Sequence, residues 1–174
     1  MLTKTNNSVS SSAFFYIDGI PTKGLWVDLM TIENWESVEA LLSAKYPNAD
    51  IDEILCADIE GIGKCFYASN CDSFDMTEWL EFRESFEASH LDIEAIQDYI
   101  ENYGANDLDI SNIEDCYYGQ YDDFDSFVYQ FVDDCDILHG MEESLKCYFD
   151  YEKYGRDLSY DFFIGSNGHV FRSC

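Results

Sequence analysis

The chain has 174 residues, of which 36 are Asp or Glu and 9 are Lys or Arg, so its formal net charge is −27 at pH 7. Hydrophobic residues make up 47% and aromatic residues 17%, which is enough apolar surface to offset chain entropy and excludes a disordered polyanion. No stretch approaches the roughly 18 apolar residues of a membrane-spanning helix, and the first residues lack the apolar segment of a signal peptide, so we expect a cytoplasmic protein.

The first third of the chain is predicted to form a small α+β domain over residues 13–70. Residues 1–12 are polar and serine-rich, and we expect them to form a flexible tail. Gly and Pro between the first two apolar runs indicate a hairpin loop, and Pro47 ends the helix that follows. The elements predicted in chain order are strand, strand, helix and strand, over 13–17, 25–30, 34–46 and 53–59.

The middle third is predicted to be a helical domain over residues 71–106. Asp75 is suited to cap a helix that continues to Ala88, since carboxylates accept hydrogen bonds from the free N–H groups of a first helical turn. Ser89 begins a second helix in a pattern that resembles a capping box, and that helix is expected to end near Gly104.

The last third is predicted to be a second α+β domain over residues 107–174. A strand is expected at 113–118, followed by a helix within 122–137 whose apolar residues recur at helical spacing. Two short strands at 162–165 and 169–172 are joined by Ser-Asn-Gly, and the Asn-Gly pair favours a type I′ hairpin turn.

Acidic residues are concentrated in one part of the sequence. Between Cys65 and Lys146 there are twenty-two Asp and Glu residues and one base, Arg83. In the first middle helix the acids recur every third residue, a step of about 4.5 Å along the axis, which is close to the ~3.4 Å rise between phosphates of one DNA strand. A solvated helix face is the ordinary explanation of such a pattern, but such faces usually mix both signs of charge. A folded polyanion that repels itself favours a strongly basic partner.

The residue types give little support to catalysis, metal binding or a cofactor. Seven cysteines form no C-x-x-C pair, and we expect reduced thiols that mostly fill the core. Three scattered histidines are expected at the surface or at helix caps, and no phosphate-binding glycine loop is present. We therefore expect no catalytic residue, no metal and no cofactor.

The C-terminal segment resembles the ArdA-type antirestriction proteins. The resemblance is carried by residues 145–158, LKCYFDYEKYGRDL, followed by residues 161–171, DFFIGSNGHVF. Weaker similarity extends upstream, so that the resemblance covers residues 13–172. The sequence departs from the family pattern at 18–23, where family members usually carry a longer loop rich in Asn and Gly.

The resemblance implies a binding function and a fold. ArdA-type proteins are acidic mimics of B-form DNA, encoded on mobile genetic elements, that occupy the DNA-binding groove of type I restriction-modification enzymes. The implied fold is an elongated chain of three small domains (α+β, mostly helical, α+β) that forms a homodimer through the C-terminal domain. The implied partner is the methyltransferase core of such an enzyme, with neither nucleic acid nor a membrane as partner.

The resemblance also implies roles for particular residues. We expect dimer contact at Tyr148, Phe149, Tyr151 and Tyr154, with packing inside the domain as the alternative.

Two other interpretations of the function stay open: a mimic directed at another DNA-binding protein, and a halophile-type acidic domain without mimicry. The residues predicted to mimic phosphates are Asp75, Glu78, Glu81, Glu84, Glu87, Glu94, Asp98, Glu101, Asp107, Asp109, Glu114, Asp115, Asp122, Asp123, Asp125, Asp133 and Asp134.

Overall fold

A computed structural model describes residues 11–68, 73–105 and 108–173 of the chain. It divides into two compact units, Met1–Ser89 and His90–Cys174. Both units combine helices with an antiparallel sheet, which confirms the α+β class. The separate helical domain expected over 71–106 is not confirmed, because its first helix belongs to unit 1 and its second helix to unit 2.

The sheet of unit 1 is built from β1 (Ser12–Ile17), β2 (Ile20–Asp28) and β3 (Ile54–Glu60). The strand order is β2-β1-β3, and both pairings are antiparallel. Strand β2 begins five residues earlier than predicted, because Asp18 and Gly19 alone turn the chain and Gly19 takes a positive φ of 71°. The Pro in β2 is tolerated because β2 is an edge strand.

One face of this sheet forms the core of unit 1. Ala13 and Phe15 are fully buried on it, and alternation along the strands places every second residue on that side. Helix α1 (Trp35–Lys45) buries Val38 and Leu42, and the Asn34 side chain caps the helix by accepting the Ser37 N–H at 2.9 Å. The predicted helix is thus confirmed to within one residue at each end.

The expected tail ends earlier than residue 12. Ser12 begins β1, and Ser11 is fully buried. The Ser11 hydroxyl donates to the Glu60 backbone oxygen at 3.3 Å and accepts the Gly63 N–H at 2.9 Å. A flexible tail is therefore wrong for these two serines, while residues 1–10 lie outside the described residues.

A short 3₁₀ helix and a small hairpin lead from the sheet to the acidic helix. The 3₁₀ helix spans Gly61–Phe66, β4 spans Tyr67–Ala68 and β5 spans Ser73–Phe74. Helix α2 (Met76–Ala88) follows directly and completes unit 1.

Within its described residues, unit 2 contains five helices and a three-stranded sheet with the order β6-β8-β7. Its core contains Phe127, Val128, Leu158, Phe162 and Val170. The helices are α3 (Ile93–Tyr103), α4 (Ile110–Cys116), α5 (Phe124–Asp134), α6 (Glu143–Lys146) and α7 (Tyr151–Leu158), and the strands are β6 (Tyr117–Gln120), β7 (Phe162–Ile164) and β8 (His169–Arg172).

Two local predictions in unit 2 are wrong. Most of the strand expected at 113–118 is helix α4, because Asp109 caps it and Ile110 and Ile113 are buried at helical spacing. The closing hairpin is present, but its turn is not type I′, since Asn167 does not have the positive φ that this type requires. Gly168 alone has the positive φ, at 88°.

The cysteines follow the sequence prediction only in part. Cys56, Cys65, Cys135 and Cys147 are free thiols. Cys116 is almost fully buried and is disulfide-bonded, so the expectation of reduced thiols is wrong at this position.

Candidate partner-binding surface

Helix α2 is positioned by aromatic packing on one side. Met76, Trp79 and Phe82 are buried, and the Trp79 indole N–H donates to the Leu29 backbone oxygen at 3.0 Å. The Trp79 ring lies edge-on to Phe66, with ring centroids 5.5 Å apart. These contacts fix the rotation of the helix, so its opposite side must face solvent.

The solvent side of α2 carries the predicted row of carboxylates. Glu78, Glu81, Glu84 and Glu87 are all exposed. Each step of three residues rises about 4.5 Å and turns about 60° backwards, so the row winds about half a turn around the helix from Glu78 to Glu87. These four side chains form the α2 carboxylate row, and the structure places all of them where the sequence predicted.

The single base of the acidic stretch is used inside unit 1. The Arg83 side chain is 17% exposed, and its guanidinium donates to the backbone oxygens of Leu29, Met30 and Ile32. Its Nε lies 3.9 Å from Glu87 Oε1. Arg83 therefore holds a loop of unit 1 and offsets the charge at one end of the α2 carboxylate row only.

The prediction that Asp98 lies on an exposed acidic face of α3 is wrong. This side chain is 1% exposed and cannot be presented to a partner. Its carboxylate accepts hydrogen bonds from the Asn167 N–H at 3.0 Å, the His169 N–H at 3.2 Å and the Ser166 hydroxyl at 3.2 Å. The β7–β8 turn covers this face, because an aspartate there satisfies donors that would otherwise be left unpaired.

The neighbouring acids of α3 differ from Asp98 in exposure. Glu94 is half-buried, whereas Glu101 is exposed and accepts a hydrogen bond from the Ser166 hydroxyl at 3.1 Å. The carboxylates of α3 thus do not form a continuous surface row.

Three of the predicted phosphate mimics are helix N-caps. Asp75 accepts the Glu78 N–H at 3.0 Å, Asp109 accepts the Ser111 N–H at 2.9 Å, and Asp123 accepts the Ser126 N–H at 2.7 Å. Hydrogen bonds from Ser126 lower the pKa of Asp123. All three side chains are exposed, so their charge is available to a partner while they stabilise their helices.

The remaining acids of unit 2 are mostly exposed at helix ends. Glu114 is the exception, because it is half-buried and accepts the His90 N–H at 2.9 Å. Asp134 accepts a hydrogen bond from the Gln130 amide at 2.9 Å. Asp107 lies outside the described residues. The exposed members of this remaining group are Asp115, Asp122, Asp125, Asp133 and Asp134.

The four residues expected at a dimer contact divide into two groups. Phe149, Tyr151 and Tyr154 are half-buried and pack against one another, with the Phe149 ring 4.8 Å from Tyr151 and 5.5 Å from Tyr154. Tyr151 and Tyr154 also pack against the core of unit 2. Tyr148 is 81% exposed. Packing within the unit therefore accounts for three of the four.

Sequence reasoning missed three exposed apolar side chains that precede Tyr148. Ile137, Met141 and Leu145 are 41%, 39% and 52% exposed. With Tyr148 they recur at intervals of four, four and three residues, but only Leu145 lies in a helix, α6, so helical periodicity gives no signal for the set. We refer to these four residues as the exposed apolar set.

His169 does not lie at the surface as expected. It is fully buried, its Nδ1 lies 3.0 Å from the Tyr117 hydroxyl, and its Nε2 lies 3.5 Å from Asp92 Oδ1. Burial and the nearby charges of Asp92 and Asp98 raise the pKa of Tyr117 to about 12.

Within 11–68, 73–105 and 108–173, no group of three or more His, Cys, Asp or Glu side chains is arranged to hold a metal ion. In the same residues, none of the helices has the length and apolar character needed to cross a membrane.

Exposed carboxylates lie on capped helices, while Arg83, the one base between Cys65 and Lys146, is turned inwards. These features define a protein with an acidic surface. A family model described as antirestriction protein (ArdA) matches residues 16–171, nearly the whole chain, and the chain belongs to this family. Membership implies an antirestriction function directed at restriction-modification enzymes, and the family is one of inhibitors. No curated protein matches the chain.

Proposed function

We propose that this protein inhibits type I restriction-modification enzymes as an acidic mimic of B-form DNA. The observation that carries the proposal is the α2 carboxylate row, whose four side chains are exposed while Arg83 is turned into unit 1 and pairs only with Glu87 among the four. Carboxylates at this spacing present a series of negative charges that a DNA-binding groove can accept in place of phosphates.

The inhibition follows from electrostatics rather than from chemistry. A groove that binds duplex DNA gains much of its affinity from Lys and Arg side chains that neutralise phosphates. A folded polyanion in that groove excludes DNA and presents neither base edges to read nor a bond to cleave. Inhibition should therefore be insensitive to the recognition sequence of the enzyme and should weaken steeply as ionic strength rises.

The exposed apolar set supports the further proposal of a homodimer formed through unit 2. These four large side chains are exposed, and covering their apolar surface with a second copy would lower the free energy of the protein. We assign the contact to Tyr148, Leu145, Met141 and Ile137. Phe149, Tyr151 and Tyr154 would then support this surface from within.

The first experiment is a binding titration against the methyltransferase core of a type I enzyme, with duplex DNA as competitor, at low and high salt. The proposal expects mutual exclusion of DNA and protein, with affinity that falls as salt is added. Binding that leaves DNA bound would contradict mimicry. Binding to unrelated DNA-binding proteins with equal affinity would instead identify a general decoy, and absence of binding would favour an acidic domain without mimicry.

A charge variant tests the α2 carboxylate row itself. In the α2 variant, Glu78, Glu81 and Glu84 are changed to Gln, which removes three charges and leaves the Asp75 cap and the Arg83 contacts in place. Exposed ion pairs contribute about 0.2–1 kcal/mol each, so the variant should bind roughly three- to a hundredfold more weakly at low salt.

The matched control removes the same charge elsewhere in unit 1. In the control variant, Glu33, Glu36 and Glu39 are changed to Gln; these side chains are exposed and also recur every third residue. A purely nonspecific effect of net charge would weaken both variants equally. A loss confined to the α2 variant would assign the interaction to that helix.

A further inference from the structure

The solvent-facing side of the unit 1 sheet carries an aromatic pair. Trp26 on β2 is 46% exposed, and its ring centroid lies 5.7 Å from that of Phe14 on β1, with the planes tilted by 62°. The two residues are direct partners in the register of the sheet. Single exposed apolar residues are common, but a Trp held against a second ring on a sheet face is the type of residue that dominates binding energy at interfaces.

The pair is held rigidly. The Phe14 ring covers Gly24, where an added Cβ would lie 2.5 Å from the ring, so the ring occupies the space that a side chain at Gly24 would fill. The Gly24 backbone oxygen also accepts hydrogen bonds from Lys45 Nζ at 2.9 Å and the Tyr46 hydroxyl at 3.0 Å. The edge strand beneath Trp26 is thus fixed from both sides, and ordering this surface on binding costs little conformational entropy.

Carboxylates surround the aromatic pair on the same side of the sheet. Asp58 pairs with Phe14 in the register of β3, while Asp28 and Glu60 flank Ser12 in the next row. All three acids are exposed, and the residues between them along the strands, Val27 and Ile59, are buried. Alternation therefore places the three acids beside the rings. We refer to Phe14, Trp26, Asp28, Asp58 and Glu60 as the outer face.

The charge of the outer face selects its occupant. Nucleic acid and anionic lipid headgroups are repelled by three carboxylates on a chain of net charge −27. A second copy of the chain would bring the same three acids against them, because a symmetric contact opposes identical patches. An arginine side chain can bind both the aromatic rings and the carboxylates of the outer face, since its guanidinium stacks on an indole ring and pairs with a carboxylate.

We propose that the outer face binds an arginine side chain on the DNA-binding surface of the restriction-modification enzyme, with the guanidinium stacked on Trp26 and paired with a flanking carboxylate. This inference rests on the proposed function and extends it. Charge alone would make the protein a diffuse polyanion, whereas an aromatic anchor adds a contact that salt screens only weakly. The protein would thus bind its enzyme more tightly than its charge alone predicts.

The test uses the full chain in the competition titration against the methyltransferase core, at low and high salt. Trp26→Ala should weaken binding on the order of tenfold or more at both salt concentrations, with an unchanged slope of log Kd against log salt, because no charge is removed. Trp26→Phe keeps an aromatic face and should retain most of the affinity. Glu60→Gln should weaken binding at low salt only.

Leu41→Ala is the matched control, because Leu41 is 44% exposed and lies on α1 of the same unit. It should change Kd by less than about twofold, as expected for an isolated surface residue. Far-UV circular dichroism and thermal unfolding of each variant establish that the fold is retained.

Three outcomes would overturn the inference. Wild-type protein that excludes DNA while Trp26→Ala binds with the same Kd would leave the proposed function standing and remove the outer face from the interface. Loss of self-association in Trp26→Ala, measured by analytical ultracentrifugation, would assign the face to a second copy. Failure of the wild-type protein to exclude DNA would remove the proposed function and the inference together.

Discussion

Replacing Asp98 with Ala should destabilise unit 2 strongly. The small change in stability that follows the loss of a surface charge is not expected here, because Asp98 is buried. The Asp98 carboxylate is 1% exposed and receives four donors from the β7–β8 turn. These donors are the backbone N–H groups of Asn167 and His169, the Asn167 side-chain amide and the Ser166 hydroxyl. Truncation leaves the His169 and Asn167 donors without their acceptor, whereas the Ser166 hydroxyl can still donate to Glu101 at 3.1 Å.

The size of the effect can be worked from these contacts. The His169 N–H is buried with its acceptor, and a buried donor left unpaired costs about 1–3 kcal/mol. The two Asn167 donors are partly buried and can recover water, so each contributes about 0.5–1 kcal/mol. The free energy of unfolding of unit 2 should therefore fall by about 2–5 kcal/mol, a large part of the stability of a small domain.

Urea unfolding provides the assay, because the two units have separate optical signals. Trp26, Trp35 and Trp79 all belong to unit 1, so tryptophan fluorescence reports on that unit, while far-UV circular dichroism follows both. Asp98→Ala should lower the midpoint seen by circular dichroism. Gln97→Ala, one residue away and exposed, should stay within about 0.5 kcal/mol of the wild type.

One result would refute the reasoning about Asp98. An unfolding midpoint equal to that of the wild type, with weakened binding to the enzyme, would mean that the carboxylate acts at the surface. The hydrogen bonds from the β7–β8 turn would then not explain why Asp98 is buried.

Three further predictions concern single residues. Arg83→Gln makes the chain more acidic, yet it should lower the unfolding free energy of unit 1 by about 2 kcal/mol and fail to improve binding, because three carbonyls lose a charged donor. Tyr148→Ala should shift the protein towards monomer in analytical ultracentrifugation, while Tyr160→Ala, equally exposed at 81%, should not. Because the pKa of Tyr117 is raised from 10.0 to about 12, its contribution to stability should be complete below pH 10 and disappear as pH rises towards 12; spectrophotometric titration that finds Tyr117 ionising near pH 10 would contradict this.

The sequence was informative where one helix face is apolar and the other acidic. In α2, Trp79 and Phe82 segregate from Glu78, Glu81 and Glu84, so both the helix and its exposed side follow from periodicity. The closing hairpin was equally accessible, because its turn residues lie between two short apolar runs. These elements depend on contacts that are local in sequence.

The errors occurred where a distant segment decides the outcome. Asp98 lies on a face that periodicity assigns to solvent, but a turn almost seventy residues away covers it. Gly165 lies at the same contact. A Cβ at this position would overlap the Asp98 carboxylate, so only glycine fits there. At α4, the apolar residues fit a short strand or a short helix, and the Asp109 cap decides for the helix. The separation of α2 and α3 into different units has the same origin, because α2 contacts the 3₁₀ helix of unit 1 and α3 contacts β8 of unit 2.

The capping aspartates allow the contribution of charge to binding to be measured separately from the contribution of the caps to folding. Asn caps a helix about as well as Asp, whereas Ala does not. Changing Asp75, Asp109 and Asp123 to Asn therefore removes three exposed charges and retains the hydrogen bonds to the first helical turns. The loss of the favourable charge at each helix N-terminus should cost about 0.3–1 kcal/mol.

The corresponding Ala variant should lose about 1 kcal/mol more at each position, because the first-turn N–H groups lose their acceptors. Denaturant unfolding of the two triple variants measures this difference, and equal stability would mean that the caps do not contribute. Binding then separates the two roles of these side chains. If they also contact the enzyme, the Asn variant should fold normally and bind more weakly, with a shallower dependence on salt than the wild type. An Asn variant that binds as the wild type does would restrict the contact to carboxylates without a structural role, such as the α2 carboxylate row.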